Sequence, residues 1–181
     1  KLGEILIIVP TNRKIRYLKR ELVSQSPGKS VSKINLHTFE TFTAQIFQTN
    51  DFDSFKTLSE ASSAVLLSKS FKKTELKYFS NYKNEIPRGT LDRIKNVITQ
   101  YKLNGISPEQ IISESKKLEG SEKLKATDIA NVYKNYLVYC KELNVYETGD
   151  VYSEVLGLDK KDFILRFNNS FSGIRTTVIN G

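Results

Sequence analysis

The sequence has only one cysteine and one histidine among its 181 residues, and it contains no methionine and no tryptophan. A single cysteine excludes an internal disulfide, and the shortage of cysteine and histidine argues against a zinc site within the chain. Cys140 follows Tyr133 and Tyr136 at helical spacing, so we expect a buried core thiol without a reactive role. A chain without disulfides fits a reducing, cytoplasmic compartment.

Long hydrophobic runs are also missing. The apolar run Ile5–Val9 is far shorter than the roughly 20 residues that a membrane helix needs, and no signal-peptide pattern is present, so no membrane contact is predicted. The content of 39% hydrophobic and 27% charged residues is typical of a folded globular chain. Because the chain starts at Lys1 and stops at Gly181, just two residues after an apolar run, we expect a fragment truncated at both ends.

Basic residues outnumber acidic ones, and the excess is concentrated at the front of the chain. The net charge is +8, and residues 1–37 hold eight basic residues against two acidic ones. Lysine supplies 21 of the 28 basic residues, so the net charge alone says little about function. Its local concentration favours a polyanionic partner such as nucleic acid.

The first 25 residues have the pattern of a strand followed by a basic helix. Ile5–Val9 is a short, continuous apolar run that ends at Pro10, which is typical of a central parallel strand covered on both faces. The next segment has apolar residues at helical spacing, with basic residues mostly on its other faces. These apolar positions are Ile15, Leu18 and Leu22.

A second strand and helix are predicted after the loop at residues 24–32, which is rich in serine, proline and glycine. Residues 34–36 have a strand pattern, and Thr38 can cap the helix that follows. The predicted buried face of this helix consists of Phe39, Phe42 and Ile46. Strand, helix, strand and helix in succession indicate an α/β layer.

From about residue 58 to residue 143, strand patterns give way to a series of helices. A capping box is predicted at Ser107–Gln110, where a proline occupies the first turn. Two stripes of residues predict buried helix faces: Leu91, Ile94, Ile98 and Tyr101 in one, and Ile129, Tyr133, Tyr136, Cys140 and Leu143 in the other. We expect the tyrosines in the core rather than stacked on bases.

The end of the chain returns to a strand pattern. Gly149-Asp150 opens a short helix, residues 163–167 fit a helix or a strand, and Thr176–Ile179 predicts a buried strand. The predicted fold class is α/β but mostly α by content, a partial parallel sheet with a large all-helical insertion. The predicted division is 1–57 for the first part of the α/β core, 58–146 for the insertion and 147–181 for the return to the core.

Motifs for catalysis are weak. Gly28-Lys29-Ser30 matches the end of a phosphate-binding loop, but Val23 stands where that loop needs its first glycine, and the triplet follows a helix instead of a strand. We therefore interpret it as a surface turn. Two acidic pairs without convergent partners are interpreted as solvated loop carboxylates: Asp51 with Asp53, and Asp159 with Asp162. No catalytic residue, metal site or cofactor is predicted within this chain.

The most informative pattern lies at the ends of the first two predicted strands. Thr11-Asn12-Arg13-Lys14 follows the first strand and opens the basic helix, whose N-terminal amides attract phosphate. His37-Thr38 follows the second strand, so the two loops should lie side by side and could grip a nucleic-acid backbone. The alternative is two capped helices with a basic face that only confers solubility.

These segments resemble conserved motifs of UvrD-like superfamily 1 helicases. Residues 7–14, followed by the basic helix, resemble a strand that ends in a Thr-Asn pair, and residues 36–42 resemble the next motif, a Thr-Phe-His-like stretch that opens a helix. Gly149–Tyr152 resembles the acidic segment through which those enzymes re-enter the sheet. The resemblance implies a RecA-like core whose first two motifs contact single-stranded DNA.

The sequence differs from those helicases at the residues that would bind ATP and magnesium, and this difference points to a more specific resemblance. Those helicases place magnesium-binding acids after the re-entering strand, whereas Val178-Ile179 is followed here by Asn180-Gly181, and the chain has no phosphate-binding loop. The combination resembles the B subunit of AddAB-type helicase-nucleases, whose front half has lost motor function and whose far end carries a PD-(D/E)XK-type nuclease domain. It implies double-strand break repair and recombination, a helicase A-type partner subunit, and ATP with Mg²⁺ only in the parent complex.

The predicted function is a DNA-binding, non-hydrolysing region that contacts single-stranded or unwound duplex DNA. The predicted nucleic-acid-binding residues are Thr11, Asn12, Arg13, Lys14, Arg16, His37 and Thr38, and Lys19 adds to the positive field. Two alternatives stay open. The chain could be part of an active superfamily 1 helicase whose ATP site precedes Lys1, or a protein-interaction scaffold that binds no nucleic acid.

Overall fold

The structure, a computed structural model, describes residues 2–48, 56–82 and 85–179. Contacts within the chain divide it into two units. The sheet unit comprises Lys1–Asp53 together with Glu154–Gly181, and the helical unit comprises Ser54–Ser153. Over the described ranges the protein is a mostly helical α/β mixture with small parallel sheets, as the sequence predicted.

Helices and strands follow one another in a simple order. The strands are β1 (Ile5–Val9), β2 (Asn35–Thr38), β3 (Lys56–Thr57), β4 (Val145–Tyr146) and β5 (Thr176–Ile179). The α-helices are α1 (Asn12–Gln25), α2 (Phe39–Gln48), α3 (Glu60–Lys73), α4 (Arg88–Leu103), α5 (Pro108–Ser115), α6 (Gly120–Glu142), α7 (Thr148–Leu156) and α8 (Lys160–Ser170).

The sheet unit is built on three parallel strands in the order β2-β1-β5, so the predicted central position of β1 is confirmed. Val9 of β1 pairs with Thr38 of β2, which brings the carboxyl ends of these two strands level. At the other end of the sheet, the Arg175 N–H donates to the Glu4 carbonyl oxygen at 2.8 Å, and Asn35 Nδ2 donates to the Gly3 carbonyl oxygen at 2.9 Å. These bonds fix the register of both outer strands.

Apolar residues of the strands and of α2 form the core of the sheet unit. The buried set includes Leu6, Ile8, Val9, Leu36, Phe42, Ile46, Phe47 and Phe171. Helix α2 packs against α8, and the rings of Phe42 and Phe171 stack with centroids 5.4 Å apart. Burial of each large side chain stabilises the fold by about 1.5–3 kcal/mol.

The helical unit has its own core, in which α6 packs against α3, α4 and α5. Ile94, Ile98, Tyr133, Tyr136 and Cys140 are all buried, which confirms most of both predicted stripes and the buried thiol. The predicted capping box is also present: the Gln110 N–H donates to Ser107 Oγ and the Ser107 N–H donates to Gln110 Oε1. The short strands β3 and β4 pair in parallel beside these helices.

Four burial predictions are wrong, each for a local reason. Phe39 is 53% exposed because it is the first residue of α2, whose buried face begins at Phe42. Leu143 is 55% exposed because α6 ends one residue before it. Val178 and Ile179 are 44% and 75% exposed because β5 is an outer strand of the described sheet.

The second strand is also displaced from its predicted position. It covers Asn35–Thr38 rather than residues 34–36, so His37 and Thr38 are its last two residues and do not follow it. Residues 163–167, which fitted either type of element, lie within helix α8. Among the described helices, none combines the length and apolar character required to cross a lipid bilayer.

Candidate nucleic-acid interface

Helix α1 begins at the carboxyl end of the central strand, and a threonine fixes its start. Thr11 is the N-cap residue, with extended backbone angles, and its Oγ1 accepts a hydrogen bond from the Lys14 N–H at 3.3 Å. Asn12, Arg13 and Lys14 follow in the first turn, where no acidic residue is present. The first turn of a helix leaves N–H groups without partners inside the helix, and these attract anions.

The solvent-facing side of α1 is strongly basic. Its exposed cations are Arg13, Lys14, Arg16, Lys19 and Arg20. Tyr17 lies among them with 56% of its surface exposed, and Lys14 Nζ is 5.7 Å from the centroid of its ring. Tyr17 was not among the residues predicted from the sequence, although its position off the stripe of Ile15, Leu18 and Leu22 is a visible signal for an exposed aromatic ring.

His37, near the end of β2, is half-buried and meets Phe171 edge to face, with ring centroids 5.3 Å apart. Burial lowers the pKa of His37 below its ordinary value, and the positive charge of Lys19 lowers it further. The imidazole is therefore neutral at pH 7. It can donate or accept a hydrogen bond there, but it adds no positive charge to the site.

Thr38 occupies the end of β2 and acts as a cap. Its side chain is buried, and its Oγ1 accepts a hydrogen bond from the Thr41 N–H at 3.2 Å, while the Thr38 N–H donates to Thr41 Oγ1 at 2.9 Å. The predicted cap is confirmed. The exposed residue at this point is Phe39, which begins α2 immediately after the strand.

The parallel register decides which predicted residues lie together. His37 pairs with Ile8 and Thr38 with Val9, so both lie beside the strand that leads directly into Thr11 and α1. Six of the seven predicted residues have exposed or half-buried side chains at this edge or on the basic face of α1, and Thr38 is the buried one. An edge with exposed cations, polar side chains and a helix N-terminus can bind a polyanion.

The weaker motifs have structural roles. Gly28, with φ of +77°, and Lys29 lie in a short 3₁₀ turn after α1, as the surface-turn interpretation predicted. Asp159 and Asp162 are exposed, as predicted, but they belong to the start of α8 and not to a loop: Asp159 is the N-cap residue, and its Oδ1 accepts a hydrogen bond from the Asp162 N–H at 2.8 Å. The pair Asp51 and Asp53 and the residues Asn180 and Gly181 lie outside the described part of the chain.

Metal-binding side chains do not converge anywhere in the described ranges: residues 2–48, 56–82 and 85–179 contain no group of three or more histidine, cysteine, aspartate or glutamate residues placed to hold an ion. Several acidic side chains there take part in caps or ion pairs instead, such as Glu147 and Asp150 with Lys102.

The fold and the site together define an α/β protein in which a basic helix starts at the carboxyl edge of a parallel sheet. In the sequence, the helical unit is inserted between the two segments of the sheet unit. The family model described as ADDB, N-terminal, matches residues 1–159. The chain belongs to this family of AddB N-terminal regions. A comparison with curated proteins found no match.

Proposed function

We propose that this chain is the DNA-binding, non-hydrolysing, helicase-like region of an AddB-type helicase-nuclease subunit that acts in double-strand break repair and recombination. The observation that carries the proposal is the placement of the exposed basic face of α1 at the carboxyl edge of the parallel sheet, beside the end of β2. Membership of the AddB N-terminal family supports it.

The strand-end site is the set of predicted residues at the carboxyl ends of β1 and β2 and on α1, namely Thr11, Asn12, Arg13, Lys14, Arg16, His37 and Thr38. This site would hold the sugar-phosphate backbone of single-stranded or unwound DNA. Asn12, Arg13 and Lys14 are exposed in the first turn of α1, where side-chain cations and backbone N–H groups can share one phosphate. Arg16 and Lys19 extend the positive field along the helix. Neutral His37 offers a hydrogen bond, and Thr38 contributes by holding the start of α2 in place.

The proposal also covers the type of core, the partner subunit, the cofactors of the parent complex and the cellular location. The β1-α1-β2-α2 order and the parallel pairing support a RecA-like core interrupted by the helical unit. An A-type helicase subunit is the proposed partner, and ATP with Mg²⁺ would serve the parent complex. A cytoplasmic location accords with a DNA-repair role and with a buried, unpaired Cys140.

Two other functions, a motor and a protein-interaction scaffold, predict different results in hydrolysis and binding assays. A motor would require an ATP site in the parent protein and DNA-stimulated hydrolysis. A protein-interaction scaffold with a merely solubilising basic face would bind no DNA even at low salt. The strand-end placement of the cations favours DNA over the scaffold, because a solubilising face does not need to begin at a helix N-terminus.

Fluorescence anisotropy of labelled single-stranded DNA tests the proposal. We expect the chain to bind at low salt without sequence preference, and Asn12→Ala/Arg13→Ala to weaken binding about tenfold, as loss of a charged hydrogen bond predicts. Lys160→Ala is the control, because it removes one exposed charge at the start of α8. Absence of binding by a demonstrably folded chain would leave the protein-interaction scaffold as the better account.

A further inference from the structure

The segment after α3 in the helical unit exposes two aromatic rings and buries two apolar residues next to them. Leu76 and Phe79 are buried, whereas Tyr78 and Tyr82 are 43% and 36% exposed. Both tyrosine rings contact the Phe79 ring, with centroid distances of 4.8 Å and 6.3 Å. Phe79 therefore anchors the segment in the core and holds a tyrosine on either side of itself at the surface.

A buried carboxylate fixes the backbone of this segment. Asp128 of α6 is only 2% exposed, and its Oδ2 accepts hydrogen bonds from the N–H groups of Lys77, Tyr78 and Phe79 at 3.0, 2.8 and 3.0 Å. Hydrogen bonds to a charged acceptor are stronger than neutral ones. The tyrosines are consequently displayed on a preorganised backbone, which lowers the entropy cost of binding through them.

Basic side chains outnumber acidic ones near the two rings. Residues 69–82 contain four lysines and one glutamate, and the side chains of Lys72 and Lys77 are exposed. Lys125 Nζ from α6 lies 6.0 Å from the centroid of Tyr78. Lys72 and Tyr82 line one cleft of about 230 Å³ together with Arg88, although Glu85 also lines it.

We propose that this surface, the tyrosine patch formed by Lys72, Lys77, Tyr78, Tyr82 and Lys125, binds single-stranded nucleic acid. Its lysines would contact phosphates, and its two rings would stack on bases, as in proteins that bind single strands without sequence preference. Nucleic acid fits better than an acidic protein because bases supply flat faces for both rings and phosphates supply the charge. The choice of ligand rests on the proposed function, but the patch is separate from the strand-end site.

Substitution of the rings tests the patch. We expect Tyr78→Ala/Tyr82→Ala to weaken binding of the 181-residue chain to an oligothymidylate of about 16 nucleotides by tenfold or more, since stacking contributes strongly for each base. Tyr78→Phe/Tyr82→Phe keeps both rings and should bind like the unchanged chain. Equal affinity for the alanine and phenylalanine variants would overturn the stacking role.

Photochemical cross-linking separates this proposal from the strand-end site. An oligonucleotide with 5-iododeoxyuridine at several positions would be cross-linked to the unchanged chain, and the modified residues would be identified by mass spectrometry. Cross-links at Tyr78 or Tyr82 support the tyrosine patch even if Arg13→Ala/Lys14→Ala has no effect, in which case the strand-end site fails alone. Cross-links confined to Tyr17 and Phe39 would overturn the patch and leave the strand-end site intact.

Discussion

His37 is the one histidine of the chain and the residue that links the candidate site to the packing of the sheet unit. Its ring meets Phe171 edge to face, and Lys19 of α1 is close enough to disfavour its protonated form. Burial against Phe171 and repulsion from Lys19 therefore both favour the neutral form of the imidazole. Protonation would place a second positive charge beside Lys19 in a half-buried position.

The lowered pKa of His37 predicts a specific dependence of stability on pH. As pH falls below about 6.5, the unfolded chain takes up the histidine proton before the folded chain does, so the free energy of unfolding decreases. His37→Gln removes this titration and should lose less stability between pH 7.5 and pH 5.5 than the unchanged chain, as measured by urea unfolding. Equal losses in both proteins would contradict the predicted pKa shift.

At the scale of elements, the contact between α4 and the start of α7 depends on an ion cluster within the helical unit. Lys102 Nζ lies 2.6 Å from Glu147 Oε2 and 2.7 Å from Asp150 Oδ2, and Tyr136 Oη donates to Glu147 Oε1 at 2.9 Å. Burial alone lowers the pKa of Lys102, but the charges of Asp150 and Glu147 outweigh burial and raise it. A buried lysine paired with two carboxylates requires the helices to approach closely.

Gly149 permits that close approach. A Cβ atom at position 149 would lie 2.6 Å from Lys102 Cβ and 2.7 Å from the Lys102 carbonyl carbon. Gly149→Ala should therefore destabilise the chain by about 1–3 kcal/mol, the usual cost of overpacking, as measured by urea unfolding.

Gly89→Ala is the matched control for this substitution. Gly89 also lies in the first turn of a helix, α4, but no atom beyond its chain neighbours and its own helix backbone lies within 4 Å of an added Cβ. Alanine is the better helix former, so this variant should be as stable as the unchanged chain or more stable by up to about 1 kcal/mol. Similar stability of the two alanine variants would contradict a close approach of α4 and α7 at Gly149.

Local sequence patterns predicted where several helices begin. Features that depend on contacts between residues distant in the sequence could not be predicted in this way. The start of α1 at Thr11 and the Ser107–Gln110 capping box follow from a few adjacent residues, so both could be predicted directly. The end of β2 could not, because pairing of Thr38 with Val9 sets it. The Lys102 cluster joins residues about 45 positions apart, and no sequence period marks such a contact.

The same distinction applies to the candidate site. The basic residues of α1 were predicted because their spacing places them off the apolar stripe. Burial of Thr38 was not predicted, since it depends on how α2 follows β2. Exposure of Tyr78 was also missed, because it results from the buried Phe79 beside it and the distant carboxylate of Asp128.

At the scale of the whole molecule, a concentrated positive field lies on one helix of the sheet unit of an AddB-type N-terminal region. The proposed binding of single-stranded DNA through this field would release condensed counterions, so we expect the affinity to fall as salt rises. Residues that contact phosphate contribute to this salt dependence, whereas exposed cations elsewhere contribute little.

The most direct test is the salt dependence of single-stranded DNA binding for Arg13→Ala/Lys14→Ala and for the control Lys160→Ala/Lys161→Ala, which removes the same charge from exposed positions on α8. The slope of log affinity against log salt should become shallower by about 0.7 for each phosphate that the α1 variant no longer neutralises, and it should not change in the control. Equal slopes in the α1 variant, the control and the unchanged chain would contradict a DNA-binding site at this strand end.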